Sequence, residues 1–302
     1  MSDKPHVSGA LAAVFAFLAW GLLPVYWKAL AAAPAFEIIC HRVVWSQVCT
    51  ALLLLPRGGL AEVRAALRSR RDLLLLACSS SIIGVNWFLY IYAVNSGQVL
   101  EASLGYYLNP LVNVLFGVLF FRDRLRPVQI LAVALAAAGV AVQVVSHGAP
   151  PWLALGMAVT FGVYGMVRKL MSLGSLPGLF VETGALTLPA GGYLAWLWLN
   201  GQGAFLHLGP ELDLLMVGAG AATTAPLLAF AFAARRITLT TLGVLQYLGP
   251  TGMFLLGVLA YGEPFGPAHA ATFGLIWAGV ALYTAEGAWR LRQMRRATFP
   301  RS

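Results

Sequence analysis

The chain has 302 residues and a formal net charge of +9, and 60% of its residues are apolar or aromatic while only 10% are charged. Soluble domains carry about 25% charged residues, so this chain has too little polar surface to coat a particle in water. The composition therefore excludes a soluble enzyme and predicts an integral membrane protein.

Apolar runs bounded by charges, Gly and Pro predict ten membrane-spanning helices. Each needs about 20 apolar residues to cross the hydrocarbon core, which leaves only short connections. The longest connection runs from Pro56 to Asp72. In chain order the predicted spans cover residues 8–28, 36–55, 73–95, 100–121, 128–146, 150–168, 178–199, 211–234, 238–261 and 267–288. The predicted fold class is an all-α integral membrane protein without a large catalytic domain outside the bilayer.

The basic residues are distributed unevenly among the predicted connections. If both termini are cytoplasmic, 18 of the 20 Lys and Arg residues fall on the cytoplasmic side, and only Lys28 and Arg42 lie near the outer end of the first hairpin. Because Lys and Arg near span ends are retained in the cytoplasm, this pattern predicts that orientation. Anionic lipid headgroups then account for the positive charge, and nucleic acid is not an expected partner.

The two halves of the chain match each other at one constant offset along the sequence. The matching pairs are Tyr107 and Tyr247, Pro110 and Pro250, Gly117 and Gly257, Pro127 and Pro267, and Gly139 and Gly279. Each unit contains five helices, which is an odd number, so the second unit must enter the membrane upside down relative to the first. Such inverted repeats are typical of transporters. We predict a first repeat at residues 8–146, a second at 149–288 and a basic cytoplasmic tail at 289–302.

Pro110 and Pro250 fall near the middle of the fourth and ninth predicted spans. A proline inside a helix removes one backbone hydrogen bond and kinks the helix. Carbonyl groups freed in this way are tolerated only where protein or a water-filled cavity satisfies them. The pair therefore predicts two kinked helices beside a substrate path, although proline is common in membrane helices for other reasons.

Polar and aromatic residues recur at steps of four on the predicted second, third and fourth helices, which places each set on one stripe. A charged side chain at the bilayer centre costs about 2.5 to 3.5 kcal/mol on insertion scales, so such residues are functional candidates. The predicted substrate-binding residues are Glu37, His41, Arg42, Trp45, Asn86, Tyr90, Glu101, Tyr106, Asn109 and Asn113, with Gln246 and Tyr247 closing the opposite side.

Two interpretations of these stripes stay open. Glu37 and His41 can exchange a proton with substrate or a coupling ion, because histidine titrates near neutral pH. Alternatively, Glu37 neutralises Arg42 or Lys28 in a static cluster, and the asparagines only join helices, at about 0.6 kcal/mol each. The aromatic residues suit a flat or cationic solute through stacking and cation–π attraction.

Sequence motifs of common enzymes are missing. There is no G-x-x-x-x-G-K-[ST] phosphate loop, no H-E-x-x-H and no G-x-S-x-G. Cys40, Cys49 and Cys78 lie in apolar stretches without partners at metal-ligand spacing, so no disulfide, metal site or cofactor is expected. We therefore predict no catalytic residues, and a driving force from an ion or solute gradient.

Several sequence motifs are distinctive: HRVVWS at residues 41–46, NW at 86–87, AVN at 93–95, EASLGYYLNPLVNVLFG at 101–117, YGMVRK at 164–169 and QYLGPTGMFLLGVLAYGE at 246–263. Together they resemble the EamA-domain family of the drug/metabolite transporter superfamily. The resemblance implies a permease of the bacterial inner membrane, with ten helices in two EamA repeats. A label used in this family mentions chloramphenicol, whereas related members handle amino acids, other metabolites and drugs.

The expected function is secondary active transport of a small amphipathic drug or metabolite by alternating access, in the direction of export. The alternatives are an uncoupled facilitator or an importer of amino acids or other metabolites, and a membrane scaffold that transports nothing. The expected partners are a small-molecule substrate and the lipid bilayer, with proton coupling as one option. The sequence leaves open the cargo, the direction, the coupling ion and whether the protein is a monomer or a homodimer.

Overall fold

A computed structural model describes residues 4–121, 125–234, 236–237, 241–242 and 245–298, and within these ranges it contains helices and no strand. The helices are α1 (Lys4–Ala29), α2 (Ala35–Leu54), α3 (Leu60–Arg68), α4 (Arg70–Asn95), α5 (Val99–Phe121), α6 (Pro127–His147), α7 (Trp152–Lys169), α8 (Ser175–Leu199), α9 (Pro210–Ala234), α10 (Leu248–Leu255) and α11 (Pro267–Thr298). A 3₁₀ turn (Leu55–Arg57) follows α2, and α10 continues as a π-helix (Leu256–Ala260).

The prediction of an all-helical membrane protein is confirmed. Within the described ranges, seven helices are long and apolar enough to cross a membrane, namely α1, α2, α4, α5, α6, α9 and α11, and α7 and α10 are apolar but shorter. The first eight predicted spans each coincide with one helix to within four residues at either end. The chain is therefore a multi-pass membrane protein, and its arrangement as ten spans in two repeats stays a prediction.

Three segments differ from the sequence-based expectation. The predicted connection from Pro56 to Asp72 folds into the 3₁₀ turn and α3, which buries Val63 and Ala66. Helix α11 continues to Thr298, so most of the predicted tail is helical, since no Gly or Pro interrupts residues 288–298. In the ninth predicted span, residues 238–240 and 243–244 lie outside the described residues, and regular helix is seen from Leu248 to Leu255.

The helices of the first half pack mainly against helices of the second half. Helix α1 packs on α9 and α10, and α7 packs on α4 and α5. Helix α2 packs on α8 and α9, α5 packs on α10, and α6 packs on α11. The largest apolar core lies where α1, α2, α4, α8 and α9 meet, around the fully buried Trp27, Ile38, Ile91 and Met216.

A glycine sets the distance between α9 and α2. A Cβ atom on Gly220 would lie only 2.3 Å from the carbonyl oxygen of Trp45. Small residues let membrane helices approach to backbone contact in this way. This contact brings α9 close enough to α2 for a side chain of α9 to meet the neighbouring Arg42.

Candidate functional site

Arg42 of α2 is buried among side chains from other helices and is only 5% exposed. Its guanidinium carbon lies 4.2 Å from the ring centre of Trp87 on α4 and 5.1 Å from that of Trp27 on α1. Its Nε donates a hydrogen bond of 3.0 Å to Thr223 Oγ1 on α9. Four helices thus converge on one cation.

Two tyrosines also lie near Arg42. Tyr90 of α4 and Tyr106 of α5 meet edge to face, with ring centres 5.7 Å apart, and both lie close enough to Arg42 to interact with its charge. The Tyr90 hydroxyl is buried and has no hydrogen-bond partner in the part of the chain that the structure describes. We call the set formed by Trp27, Arg42, Trp87, Tyr90, Tyr106 and Thr223 the Arg42 cluster.

The charge of Arg42 has no carboxylate partner among the residues with described positions. The two ion pairs found there join Arg126 to Glu286 at 3.3 Å and Arg168 to Glu182 at 3.6 Å. The Nη1 of Arg42 is buried and makes no hydrogen bond to these residues. Cation–π contacts with the two Trp rings contribute about 0.5 to 2 kcal/mol each, whereas burying an ion costs several kcal/mol. The cluster therefore compensates its charge only in part.

His41 faces a different neighbour from Arg42, because adjacent residues on a helix point about 100° apart. Its ring lies 4.6 Å from the ring of Phe205, between centroids, and its Nδ1 accepts a hydrogen bond of 3.3 Å from Trp45 Nε1. A neutral ring whose Nδ1 accepts must carry its proton on Nε2. That Nε2 is buried without a partner among the described residues, so His41 keeps one unused hydrogen-bond donor.

The Glu37 carboxylate is engaged by backbone amides. It accepts hydrogen bonds from the N–H of Ala204 at 2.8 and 3.0 Å and from that of Phe205 at 3.1 Å, and the residue is 1% exposed. Lys28 instead places its Nζ 3.9 Å from the ring centre of Tyr261. The ion pair of Glu37 with Arg42 or Lys28, considered from the sequence, does not form, and Glu37 anchors the loop after α8.

Three further carboxylates bind backbone N–H groups close to helix starts. Glu62 accepts from Gly174 at 2.5 Å, just before α8, and Glu101 accepts from Ala154 at 3.4 Å, in the first turn of α7. Glu263 accepts from Val99 and Leu100 at 2.7 and 2.8 Å, at the start of α5. A carboxylate is favourable at the positive end of a helix, where N–H groups lack partners. These contacts serve the packing of the bundle.

The predicted asparagines have three different environments. Asn86 donates to Met157 O at 3.0 Å and to Thr160 Oγ1 at 2.9 Å, which joins α4 to α7. Asn109 is buried, and its Oδ1 has no partner within the described ranges. Asn113, one turn further along α5, is exposed. Asn86 thus joins two helices through its Nδ2, while the Oδ1 atoms of both Asn86 and Asn109 are buried acceptors without a partner among the described residues.

Gln246 and Tyr247 lie away from the Arg42 cluster, and both are partly buried. They precede α10, and Tyr247 borders an open, largely apolar groove of about 410 Å³ between α5, α10 and α11. The groove is lined by Tyr107, Tyr247, Thr251, Trp277, Val280, Ala281 and Thr284. None of these residues belongs to α2 or α4, so Tyr247 borders a groove apart from the polar stripes of those two helices.

The two prolines predicted to kink helices occupy different positions in their helices. Pro110 is buried inside α5, next to Asn109. Pro250 is the third residue of α10, where its missing N–H would have no helical partner in any case. Its carbonyl oxygen accepts a hydrogen bond of 2.8 Å from Ser103 Oγ, which joins α10 to α5.

A second buried ionic group was not among the predicted site residues. Glu182 of α8 is fully buried, 3.6 Å from Arg168 of α7, and it accepts a hydrogen bond of 3.1 Å from the Tyr164 hydroxyl. Trp27 and Thr223 were missed as well. A single Trp near a span end and a Thr in an apolar helix give no signal that they contact an arginine on another helix.

Comparisons with known proteins support a transporter. The sequence profile of the "EamA-like transporter family" matches residues 7–145. An "Uncharacterized transporter" of Vibrio cholerae is 43% identical, over 96% of this chain and 96% of its own length. "Protein RarD" of Escherichia coli K12 is 40% identical over 97% and 99% of the two chains. A "Chloramphenicol-sensitive protein RarD" of Pseudomonas aeruginosa is 33% identical over 95% and 97%.

One solved structure, described only as "Crystal structure of protein", has the same fold. It matches with a TM-score of 0.58 and 24% sequence identity, over 92% of this chain and 97% of that one. At this identity the likeness concerns the fold alone.

Proposed function

The chain belongs to the EamA-like transporter family, and from that premise we propose that it is a secondary transporter of the bacterial inner membrane, moving a small amphipathic organic molecule by alternating access. It is a carrier and not an enzyme, since its relatives are named as transporters and the sequence holds no catalytic motif. Both termini lie in the cytoplasm, and the expected direction is export.

The observation that carries this proposal is the Arg42 cluster. Arg42 Nη1 and Tyr90 Oη are buried polar atoms without partners among the described residues, at the junction of helices α1, α2, α4, α5 and α9. Leaving a buried donor unsatisfied costs about 1 to 3 kcal/mol, and more when the group is charged. A protein that only needed to pack its helices would gain by replacing these groups with apolar ones. A bound solute supplies the missing partners.

The cluster is closed in this conformation, since Arg42 is 5% exposed. A solute therefore reaches it only after helices separate on one side of the membrane. Alternating access in inverted-repeat transporters proceeds by movement of one bundle against the other around a central site. The packing of first-half helices on second-half helices supports this arrangement, because the Arg42 cluster joins α1, α2, α4 and α5 of the first half to α9 of the second.

The solute-contacting residues that we propose are a subset of those predicted from the sequence. Arg42, Tyr90 and Tyr106 bind the solute, and Asn109 lines its path. Glu37, Glu101 and Asn86 hold loops and helices in place through the contacts described above. Proton coupling, where the carrier uses it, belongs to His41, whose buried Nε2–H has no hydrogen-bond partner among the described residues, whereas Glu37 is held by the loop after α8.

Flux measurements in proteoliposomes test the proposal. The purified protein is reconstituted, and saturable uptake is measured for a panel of labelled solutes that includes chloramphenicol and aromatic metabolites, with and without an imposed pH gradient. We expect saturable flux, and a lower affinity for the transported solute in an Arg42→Gln variant. Flux that ignores the pH gradient identifies an uncoupled facilitator, and flux only inward identifies an importer. A well-folded protein that moves no solute supports the scaffold alternative and contradicts the proposal.

A further inference from the structure

We propose that the transported solute carries a carboxylate, and that the Arg42 cluster binds this group directly. This assignment rests on the transport function proposed above and narrows its substrate class from amphipathic molecules in general to organic anions with an apolar or aromatic body.

Both unused polar groups of the cluster can donate hydrogen bonds, and the charged one, Arg42, can only donate. The Arg42 guanidinium offers the N–H groups of Nη1, and the Tyr90 hydroxyl makes no hydrogen bond to any residue with a described position. A guanidinium presents two parallel N–H groups that match the two oxygens of a carboxylate, and hydrogen bonds between charged groups are roughly twice as strong as neutral ones. An anionic acceptor therefore fits this site better than any donor group.

A cationic solute does not fit. One face of Trp27 and one face of Trp87, which would otherwise attract a cation, are already covered by the Arg42 guanidinium at 5.1 and 4.2 Å. A second positive charge would meet the first in surroundings of low dielectric constant, where repulsion is strong. The aromatic stripes that suggested a flat or cationic solute from the sequence thus favour a flat anion instead.

A neutral solute fits less well than an anion, because it leaves the charge of Arg42 uncompensated. Among the residues with described positions, no carboxylate lies within ion-pairing distance of this guanidinium. A bound carboxylate would supply the counter-charge that the protein lacks. Occupation of the site should therefore stabilise the folded protein as well as permit transport.

The remainder of the solute meets apolar and aromatic walls. Trp27, Trp87 and Tyr90 belong to the largest hydrophobic core, with Ile91 and Val43 as further members, and Tyr106 packs against it. Such surroundings accept a ring or an alkyl chain and disfavour a second charge. The expected class is a monocarboxylate with one apolar body.

The test uses solutes that share a ring and differ only in charge. Phenylacetate, indole-3-acetate and naphthylacetate are compared with their amides and with the corresponding arylethylamines, in proteoliposome flux and in thermal unfolding of the detergent-purified full chain. For the wild type we expect saturable flux of carboxylates, at least about ten-fold better in affinity than the matching amides, and a rise in Tm on adding carboxylate.

Variants test whether the preference for carboxylates arises at the Arg42 cluster. Arg42→Gln should abolish the preference for carboxylate over amide, and Tyr90→Phe should weaken carboxylate binding several-fold while keeping the positive charge. Thr223→Val removes the oxygen that accepts from Arg42 Nε, and should lower the carboxylate preference. Thr224→Val is its matched control, since the buried Thr224 hydroxyl has no partner within the described ranges, and it should leave the preference unchanged. Arg126→Gln removes an exposed charge and controls for net charge.

The possible outcomes distinguish a failure of the anion assignment from a failure of the proposed transport function. Saturable flux of amides or amines without carboxylates overturns the anion assignment and leaves the transport function standing. Equal carboxylate preference in wild type and Arg42→Gln also overturns it, because the anion must then bind elsewhere. No saturable flux for any member of this series overturns the anion assignment, and no saturable flux for the wider panel either, from a protein with a cooperative unfolding transition, contradicts both.

Discussion

Tyr107 and Tyr247 stack on each other, with ring centres 6.1 Å apart and ring planes 16° apart. They are one of the pairs that match between the two halves of the sequence. A residue can touch its own equivalent in the other repeat only close to the axis that relates the repeats. The contact is therefore expected of an inverted repeat with its axis between α5 and α10, and it supports that predicted arrangement.

A second pair of contacts has the same symmetry. A Cβ atom on Gly139 would lie 3.0 Å from the carbonyl oxygen of Thr272, and one on Gly279 would lie 2.7 Å from that of Ala132. Ala132 and Thr272 are separated by the same offset as Gly139 and Gly279. The glycine of α6 therefore contacts α11 at the position equivalent to the one at which the glycine of α11 contacts α6. Two repeat-related helices would pack in this way across a two-fold axis.

We expect Gly279→Ala to destabilise the protein by about 1 to 3 kcal/mol, because the new methyl group would overlap a backbone oxygen that cannot move without shifting α6. Gly274→Ala, on the same helix, is the control. No described atom lies within 4 Å of its added Cβ, so it should be neutral or slightly stabilising. Thermal unfolding in detergent measures both. Equal effects of the two substitutions would contradict the close packing of α6 on α11.

Glu37→Ala should loosen the loop after α8, because the N–H groups of Ala204 and Phe205 lose their acceptor in a buried position. We expect a loss of about 1 to 3 kcal/mol in stability, and faster hydrogen exchange at residues 203–206. Glu211→Ala, which removes an exposed carboxylate from the first turn of α9, should leave that exchange unchanged. Unchanged exchange in Glu37→Ala would return Glu37 to the candidates for proton exchange.

Hydropathy and charge predicted an all-helical membrane protein and the positions of most of its described helices. The apolar runs located the helices within a few residues because a membrane helix needs a long apolar segment and little else. Helix α3 was missed because its apolar face consists of few residues, Val63 and Ala66, in a charged segment. The last turns of α11 were missed because a basic segment after a span was interpreted as a cytoplasmic tail, although it contains no residue that breaks a helix before Thr298.

The candidate site was predictable only as a set of helices. Steps of four identified the polar stripes of α2, α4 and α5, because periodicity determines which residues share a face. It does not determine what faces them. The partners of Glu37 are backbone amides in the loop after α8, and the hydroxyl that binds Arg42 lies on α9, both in the other half of the chain. These contacts depend on tertiary packing, which a single sequence does not show.

The Arg168 and Glu182 pair should be coupled in stability. Glu182 is fully buried and Arg168 is mostly buried, so removing either charge leaves the other without compensation. We expect Glu182→Gln to destabilise the protein by about 3 to 5 kcal/mol, and the double variant with Arg168→Gln to recover much of that loss. A double-mutant cycle on the midpoint of thermal unfolding measures the coupling. Additive effects would mean that the charges do not compensate each other.

Membrane orientation can be tested at two exposed serines on predicted opposite sides. Ser96 follows α4, on the predicted outer side, and Ser172 follows α7, where it hydrogen-bonds to Asp72 on the predicted cytoplasmic side. Each is replaced by Cys in a background in which Cys40, Cys49 and Cys78 are changed to Ser or Ala. In intact cells an impermeant maleimide should label Ser96→Cys but not Ser172→Cys, and permeabilised cells should label both. Because 18 of the 20 basic residues define the cytoplasmic side, the reverse pattern would place this charge outside, against the retention rule on which the predicted orientation depends.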